Sequence, residues 1–238
     1  MKTTIATILF FLASINCQAQ ENKLELGFGV FPNFSLGVIS SDGSVPSEVE
    51  SGYRDIEIAK PSISSTIFVE YSINENSIIG LGMGYQNNGR RTKKEDLIWG
   101  INPDTGEANF NLNVAQRRNK SSHYNIEIPL YYKRILGEKL FLVIGVSSIL
   151  NIYNTETSIQ YHADGSKKRI TSEDNSTDFR KFNFSGNIGF GYDYLNTEKL
   201  SLFVYPYLQY GFLGVSKTAP LNRNFLSIGI STGIRFKN

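Results

Sequence analysis

Ser121, Ser122 and His123 stand in a row, and Glu127 follows four positions after the histidine. A hydroxyl, an imidazole and a carboxylate are the parts of an activated serine: the ring takes the hydroxyl proton and a third group orients the ring. Neighbours on a strand point to opposite faces. Ser122 therefore diverges from His123, whereas Ser121, His123 and Glu127 share one face. A rim cluster of polar side chains has the same spacing, and that reading is preferred, so no catalytic residue is assigned and no enzyme is expected. His162 lies in a hydrophilic stretch with no obvious partner. With two histidines and a single cysteine, Cys17, the chain offers no paired-CxxC or histidine-based metal site. No cofactor is expected.

A second group of residues is cationic. Arg90, Arg91, Lys93 and Lys94 precede a turn signal at Pro103-Asp104-Thr105-Gly106, and Arg117, Arg118 and Lys120 follow it. A hairpin centred on Asp104 and Thr105 sets Tyr85 opposite Tyr124, Gly89 opposite Lys120 and Arg91 opposite Arg118. Like charges facing across strands repel, so such a cluster calls for anions. Arginine pairs well with phosphate, and the phosphates of lipopolysaccharide are the expected ligand. The alternative is a solvated basic hairpin, balanced in part by Glu95 and Asp96.

These residues need strands to hold them, and alternation with period two runs through most of the chain. Leu226, Ile228, Ile230, Ile234 and Phe236 oppose Ser227, Gly229, Ser231, Gly233 and Arg235. Tyr124, Ile126, Ile128, Leu130 and Tyr132 oppose Asn125, Glu127, Pro129, Tyr131 and Lys133. Eight strands are expected, at 23–39, 61–73, 78–92, 121–136, 140–155, 180–196, 200–216 and 223–237. Tight turns at 74–77, 137–139 and 196–199 alternate with long connections at 40–60, 93–120 and 156–179. The 40–60 stretch reads as a polar loop. Asp164-Gly165 suggests a further hairpin, with a bulge or longer loop to keep the faces matched.

The polar parity is rich in Gly, Ser and Asn, with isolated charges at Glu25, Glu70, Glu127, Lys133, Asp193 and Arg235. Small residues suit a narrow lumen, and aromatics fall at two levels along the strands. Both features, with the short and long rhythm of the connections, point to a membrane barrel with its apolar face outward. An eight-stranded barrel leaves room only for side chains. Glu25, Glu127, Lys133, Asp193 and Arg235 are therefore expected to form an ion-pair network that closes the lumen, and no wide pore is expected.

Averages hide this pattern. Mean hydropathy is -0.22, as in many soluble chains, because it sums two opposed faces. Lys plus Arg total 24 against 22 for Asp plus Glu, a net charge of +2 that gives no reason to expect a nucleic-acid partner. Lys2, the apolar run 5–15 and Cys17-Gln18-Ala19 read as an export signal cleaved after Ala19, leaving residues 20–238 as one domain. Acylation of Cys17 is disfavoured, because Asn16 and Ser14 stand where a lipoprotein signal places a small and an aliphatic residue.

The leader ending in Ala19-Gln20, the segment Tyr124-Asn125-Ile126-Glu127-Ile128-Pro129-Leu130-Tyr131-Tyr132-Lys133 and the glycine-punctuated last strand are similar to the PorT-like outer-membrane β-barrel family of Gram-negative bacteria. The resemblance implies an eight-stranded barrel in the outer membrane and no particular activity. Some members of that family serve the secretion machinery for surface proteins. The expectation is thus an all-β, eight-stranded antiparallel transmembrane β-barrel, monomeric, with short periplasmic turns and long extracellular hairpins. Its expected role is structural, interactive or secretion-accessory, with outer-membrane lipid, lipopolysaccharide and a surface or secretion-machinery protein as partners. Two alternatives remain at this point: a lipid-modifying hydrolase using Ser121, His123 and Glu127, and a soluble lipocalin-like binder.

Overall fold

A computed structural model describes residues 24–96, 114–162, 164–174 and 176–237. They form one antiparallel sheet of eleven strands and one helix. The strands are β1 (Leu24–Ser41), β2 (Glu57–Ile58), β3 (Lys60–Asn74), β4 (Ser77–Thr92), β5 (Glu95–Asp96), β6 (Val114–Ile135), β7 (Leu140–His162), β8 (Lys167–Glu173), β9 (Phe182–Asn196), β10 (Leu200–Gly211) and β11 (Leu221–Phe236). Helix α1 spans Ser47–Ile56. The export signal and the turn at 103–106 lie outside the described residues.

The eight long strands pair in a cycle. β1 pairs with β3, β3 with β4, β4 with β6, β6 with β7, β7 with β9, β9 with β10, β10 with β11, and β11 returns to β1. A closed cycle leaves no long edge to pair with another chain. Side chains sort by parity around it. Outward-facing Ile67 and Met83 are 60% and 62% exposed, whereas inward-facing Ser35 and Ser231 are 0% exposed. Apolar outside and polar inside is the reverse of a water-soluble fold. The soluble lipocalin-like alternative needs the opposite sorting and is corrected here.

Small residues inside the ring make room for large ones. Gly80 pairs across strands with Tyr131, and Gly191 with Phe141. A Cβ at either glycine would sit 2.1 Å from a ring carbon of that partner. The rings lie flat over the bare backbone of the neighbouring strand. This is how Phe68, Tyr131, Phe141 and Phe203 fit one narrow cross-section.

Several expectations need correction. Three short strands, β2, β5 and β8, add to the eight. The hairpin of β6 and β7 is longer than expected, starting at Val114 and ending at His162. β10 stops at Gly211 rather than 216, because the chain there turns to bond residues 178–180. The 40–60 connection contains α1. Its signal was present: Val49, Tyr53 and Ile56 recur at helical spacing, with Glu48 and Glu50 in the first turn and Arg54 in the last, matching the helix dipole. Finally, β4 and β6 pair two residues away from the expected register. Asn87 faces Tyr124, Gly89 faces Ser122 and Arg91 faces Lys120. A slip of two preserves which face each side chain takes, so alternation fixes parity and leaves register to the turn.

Gly80→Val and Gly191→Val should each destabilise the fold by about 1–3 kcal/mol, the usual cost of overpacking. Gly137→Ala, in a turn with open space around it, should be neutral. Urea titration of the band that changes gel mobility on boiling measures all three.

Candidate functional site

The lumen is filled in layers from the short-turn end to the hairpin end. At the short-turn end Glu70 is the hub. Lys133 pairs with it, Arg235 Nε stands 3.2 Å away, and Tyr131 donates its hydroxyl at 2.9 Å. Arg235 also pairs with Asp193 at 2.6 Å. Lys133 and Arg235 thus meet through Glu70, an inward residue that the expected network omits, and Asp193 joins through Arg235. Glu25 is the cross-strand neighbour of Glu70. Glu127 does not join this layer, and its assignment there is corrected. It accepts a hydrogen bond from Gln209 at 2.6 Å, nearer the middle of the lumen.

Above the charges lies the aromatic layer. The Arg235 guanidinium sits 4.3 Å over Phe203 and 5.1 Å over Phe141, so the cation is held by rings as well as carboxylates. Next comes a cavity of about 70 Å³ between Phe31, Glu127, Tyr205 and Tyr207, roomy enough for water. An amide layer follows. Gln86 donates to Gln209 at 2.9 Å, Asn125 donates to Gln86 at 3.2 Å and Asn151 donates to Asn125 at 2.9 Å. Buried amides are tolerated because they satisfy one another.

At the hairpin end His123 caps the amides. Its Nε2 is 3.3 Å from Ser121 Oγ, and its Nδ1 is 2.7 Å from Asn154 Oδ1. Ser121, His123 and Asn154 are all buried. The orienting group is therefore Asn154 and not Glu127, which lies below the amide layer. Strict alternation would turn Asn154 outward. A bulge prevents this: Tyr124 pairs with Tyr153, but Asn125 pairs with Asn151, leaving Ile152 as an extra residue. Beyond the bulge Tyr153 faces out and Asn154 faces in. A sequence signal for the bulge was thin, consisting of Ile152 and Tyr153 as adjacent bulky residues.

The mouth is a pocket of about 130 Å³ floored by Ser121 and His123. Glu57, from the residues after α1, bridges two arginines across it: Arg90 at 3.0 Å and Arg223 at 2.7 Å. Phe179 and Phe225 pack on the His123 ring at 5.3 and 5.2 Å. Phe179 is held there by a latch between two connections. Arg180 N donates to Val215 O at 2.7 Å, and Lys217 N to Asp178 O at 2.9 Å. The Asp178 carboxylate accepts from Ser216 Oγ and, at 2.5 Å, from Thr218 Oγ1.

The cations divide by face. Arg91, Arg118 and Lys120 lie on the outer face, which also carries Tyr124, and Arg91 and Lys120 are cross-strand partners. Lys94 stacks its ammonium 4.2 Å over Tyr161, with Lys167 of β8 at 5.7 Å from the same ring. Arg90 turns inward to Glu57. Arg117, opposite Glu95, donates to Asn119 and Ser158 at 3.0 Å each. Lys93 contributes its backbone N–H to Ile56 O. Among the described residues, the Nε atoms of Arg91 and Arg118 are buried without a hydrogen-bond partner. Just below, toward the short-turn end, Tyr85, Tyr124 and Tyr153 form a ladder of rings 6.3 and 5.5 Å apart. Tyr85 and Tyr124 are thus diagonal neighbours rather than the direct pair expected.

The Ser216 hydroxyl, and then that of Thr218, holds the Asp178 carboxyl below the usual carboxylate range. A depressed folded-state pKa stabilises above the ordinary carboxylate pKa and stops doing so as pH falls through the depressed value. The latch should therefore be closed at neutral pH and open in acid. Asp178→Ala should open it at neutral pH, seen as faster amide exchange at Arg180 and Lys217 and faster proteolysis at 174–181.

Residues 18–217 match the family described as outer membrane protein beta-barrel domain. No curated protein matches the sequence. Among solved structures, Ail, the attachment invasion locus protein of Yersinia pestis, is 9% identical with a TM-score of 0.37, covering 91% of this chain and all of its own. Neisserial surface protein A is 15% identical with a TM-score of 0.41, covering 90% of this chain and 97% of its own. OprG from Pseudomonas aeruginosa is 12% identical with a TM-score of 0.34, covering 93% of this chain and 98% of its own. With 200 of its residues inside the matched span, the chain belongs to the outer-membrane protein β-barrel family.

Proposed function

We propose that the cycle of eight strands crosses the outer membrane as a monomeric barrel and that its main role is structural or interactive. The short turns face the periplasm and the hairpins face outward. Residues 1–19 direct export and are cleaved off after Ala19. The charge and amide layers fill the lumen, which supports a role other than conduction. The resemblance of the 124–133 segment to PorT-like proteins extends the reading to a secretion accessory, with a surface or secretion-machinery protein as partner.

The hairpin end binds lipopolysaccharide phosphates. One observation carries this: Arg91, Arg118 and Lys120 sit together on the outer face just beyond the tyrosine ladder. Tyrosine ladders mark the depth at which membrane and water meet. A cation immediately outside that depth meets phosphate rather than hydrocarbon. Phosphate oxygens pair with the charged ends of these three side chains, and each charge-assisted bond contributes about 1.5–3 kcal/mol. Arg90 and Arg117 are excluded from this patch, since their partners are Glu57, Asn119 and Ser158.

Replacing Arg91, Arg118 and Lys120 together by Gln should cut the lipopolysaccharide that co-purifies by about tenfold or more, on the strength of those bonds. Arg117→Gln should leave it unchanged. Equal retention by the triple variant and the parent would refute the phosphate site.

A further inference from the structure

We propose that Ser121, His123 and Asn154 form a hydrolytic centre for carboxylic esters in the mouth of the lumen. The inference goes beyond the phosphate-binding role and does not rest on it.

Hydrogen bonds around the histidine set its proton. Asn154 Nδ2 donates to Asn151 Oδ1 at 3.0 Å, and Asn154 Oδ1 accepts from Asn151 Nδ2 at 2.9 Å. Asn151 Nδ2 also donates to the Tyr124 carbonyl at 3.5 Å, which orients the pair and turns the oxygen of Asn154 to the ring, so His123 Nδ1 carries the hydrogen across the 2.7 Å contact. That leaves Nε2 with its lone pair toward Ser121 Oγ at 3.3 Å. A base with this tautomer, beside a hydroxyl and oriented by an amide, is the arrangement serine and cysteine hydrolases reach on unrelated folds. Asn154 is a positioning residue, and only the bulge at Ile152 brings it there.

Charge and access support the same centre. Arg90, the cross-strand partner of Ser121, lines the same pocket with its guanidinium paired to Glu57, and Arg223 lines it too, so the pocket carries two cations. Glu156 is the cross-strand partner of Ser121 on the other side. The pocket of about 130 Å³ opens at the hairpin end, and the amide layer closes it below. Its walls combine Phe179 and Phe225 with Arg90 and Arg223. They fit an ester with a short acyl group and a polar or anionic remainder.

In the reaction Ser121 Oγ forms a bond to the ester carbonyl carbon while its proton passes to His123 Nε2. The bond from carbon to the alkoxy oxygen breaks, and the leaving alcohol takes that proton. Water, deprotonated by His123, then attacks the acyl-serine. The carboxylic acid departs and Ser121 regains a proton. Ester and water become acid and alcohol, with no further reactant.

The test uses the full-length protein folded in detergent, a fluorophosphonate probe and p-nitrophenyl butyrate. Ser121 should carry the probe, located by mass spectrometry, and the ester should be hydrolysed. Ser121→Ala and His123→Gln should lose both signals, the rate falling at least about a hundredfold. Asn154→Asp, which still accepts from Nδ1, should retain labelling, and Asn154→Leu should lose it. Ser122→Ala, on the opposite face, should match the parent. Each variant is first checked for the mobility shift on boiling. A folded parent that neither labels nor turns over overturns the proposal, as does a Ser121→Ala or Ser122→Ala variant indistinguishable from the other in rate.

Discussion

Filling a narrow lumen is the constraint on which the rest of this structure depends. Eight strands closed on themselves leave an interior about as wide as facing side chains. Every inward polar group must then find its partner from within that space, since an unpaired buried polar group is costly. The chain meets most of the demand by stacking unlike layers, leaving Asn33 Oδ1, Ser147 Oγ and Ser231 Oγ without a partner among the described residues. Carboxylates and cations meet at Glu70, rings pack over glycines, and amides bond to amides up to His123. Arg235 joins two of these layers, taking carboxylates on one side and ring faces on the other. A lone change in one layer is therefore felt in its neighbours, because each layer is the floor of the next.

Much of this was legible in the residues. Alternation located the eight long strands to within a few residues at most ends, and parity put Glu70, Glu127, Lys133, Asp193 and Arg235 on the inside. It could not say at what height each would sit. Glu127 and Lys133 share a strand and a face, yet three steps of two residues separate the amide layer from the charge layer. Height depends on the strand-to-strand stagger, which is a property of closure and not of any single strand. The register of β4 on β6 escaped for a related reason: a shift of two keeps every face correct and changes only the partners. Arg91 meets Lys120 instead of Arg118, which leaves like charges adjacent all the same.

The outer surface answers to a different solvent and is simpler. Its side chains do not need one another, so the aliphatic residues there stand exposed and alternate with little further pattern. Specific contacts return only near the hairpin end, where the tyrosine ladder gives way to arginine and lysine. At that boundary the outward side chains change from apolar to charged, the residue types suited to the two sides of a membrane interface. Helix α1 and the short strands β2 and β5 lie beyond the boundary, which explains why alternation did not reveal them: they have no membrane face to encode.

The bulge at Ile152 ties these two surfaces together. One extra residue in β7 shifts the parity of everything beyond it. Outward, it delivers Tyr153 to the ladder beside Tyr124; inward, it delivers Asn154 to His123. Without it the two positions would exchange faces, leaving an amide against lipid and a phenol in the mouth. Neither neighbour could then be satisfied. A bulge costs ladder hydrogen bonds, and bulges persist where they re-aim a side chain. Here the re-aimed side chain is the one that orients the histidine. The wall of the barrel and the chemistry of its mouth are therefore set by the same single insertion, and a sequence read by alternation alone passes over it.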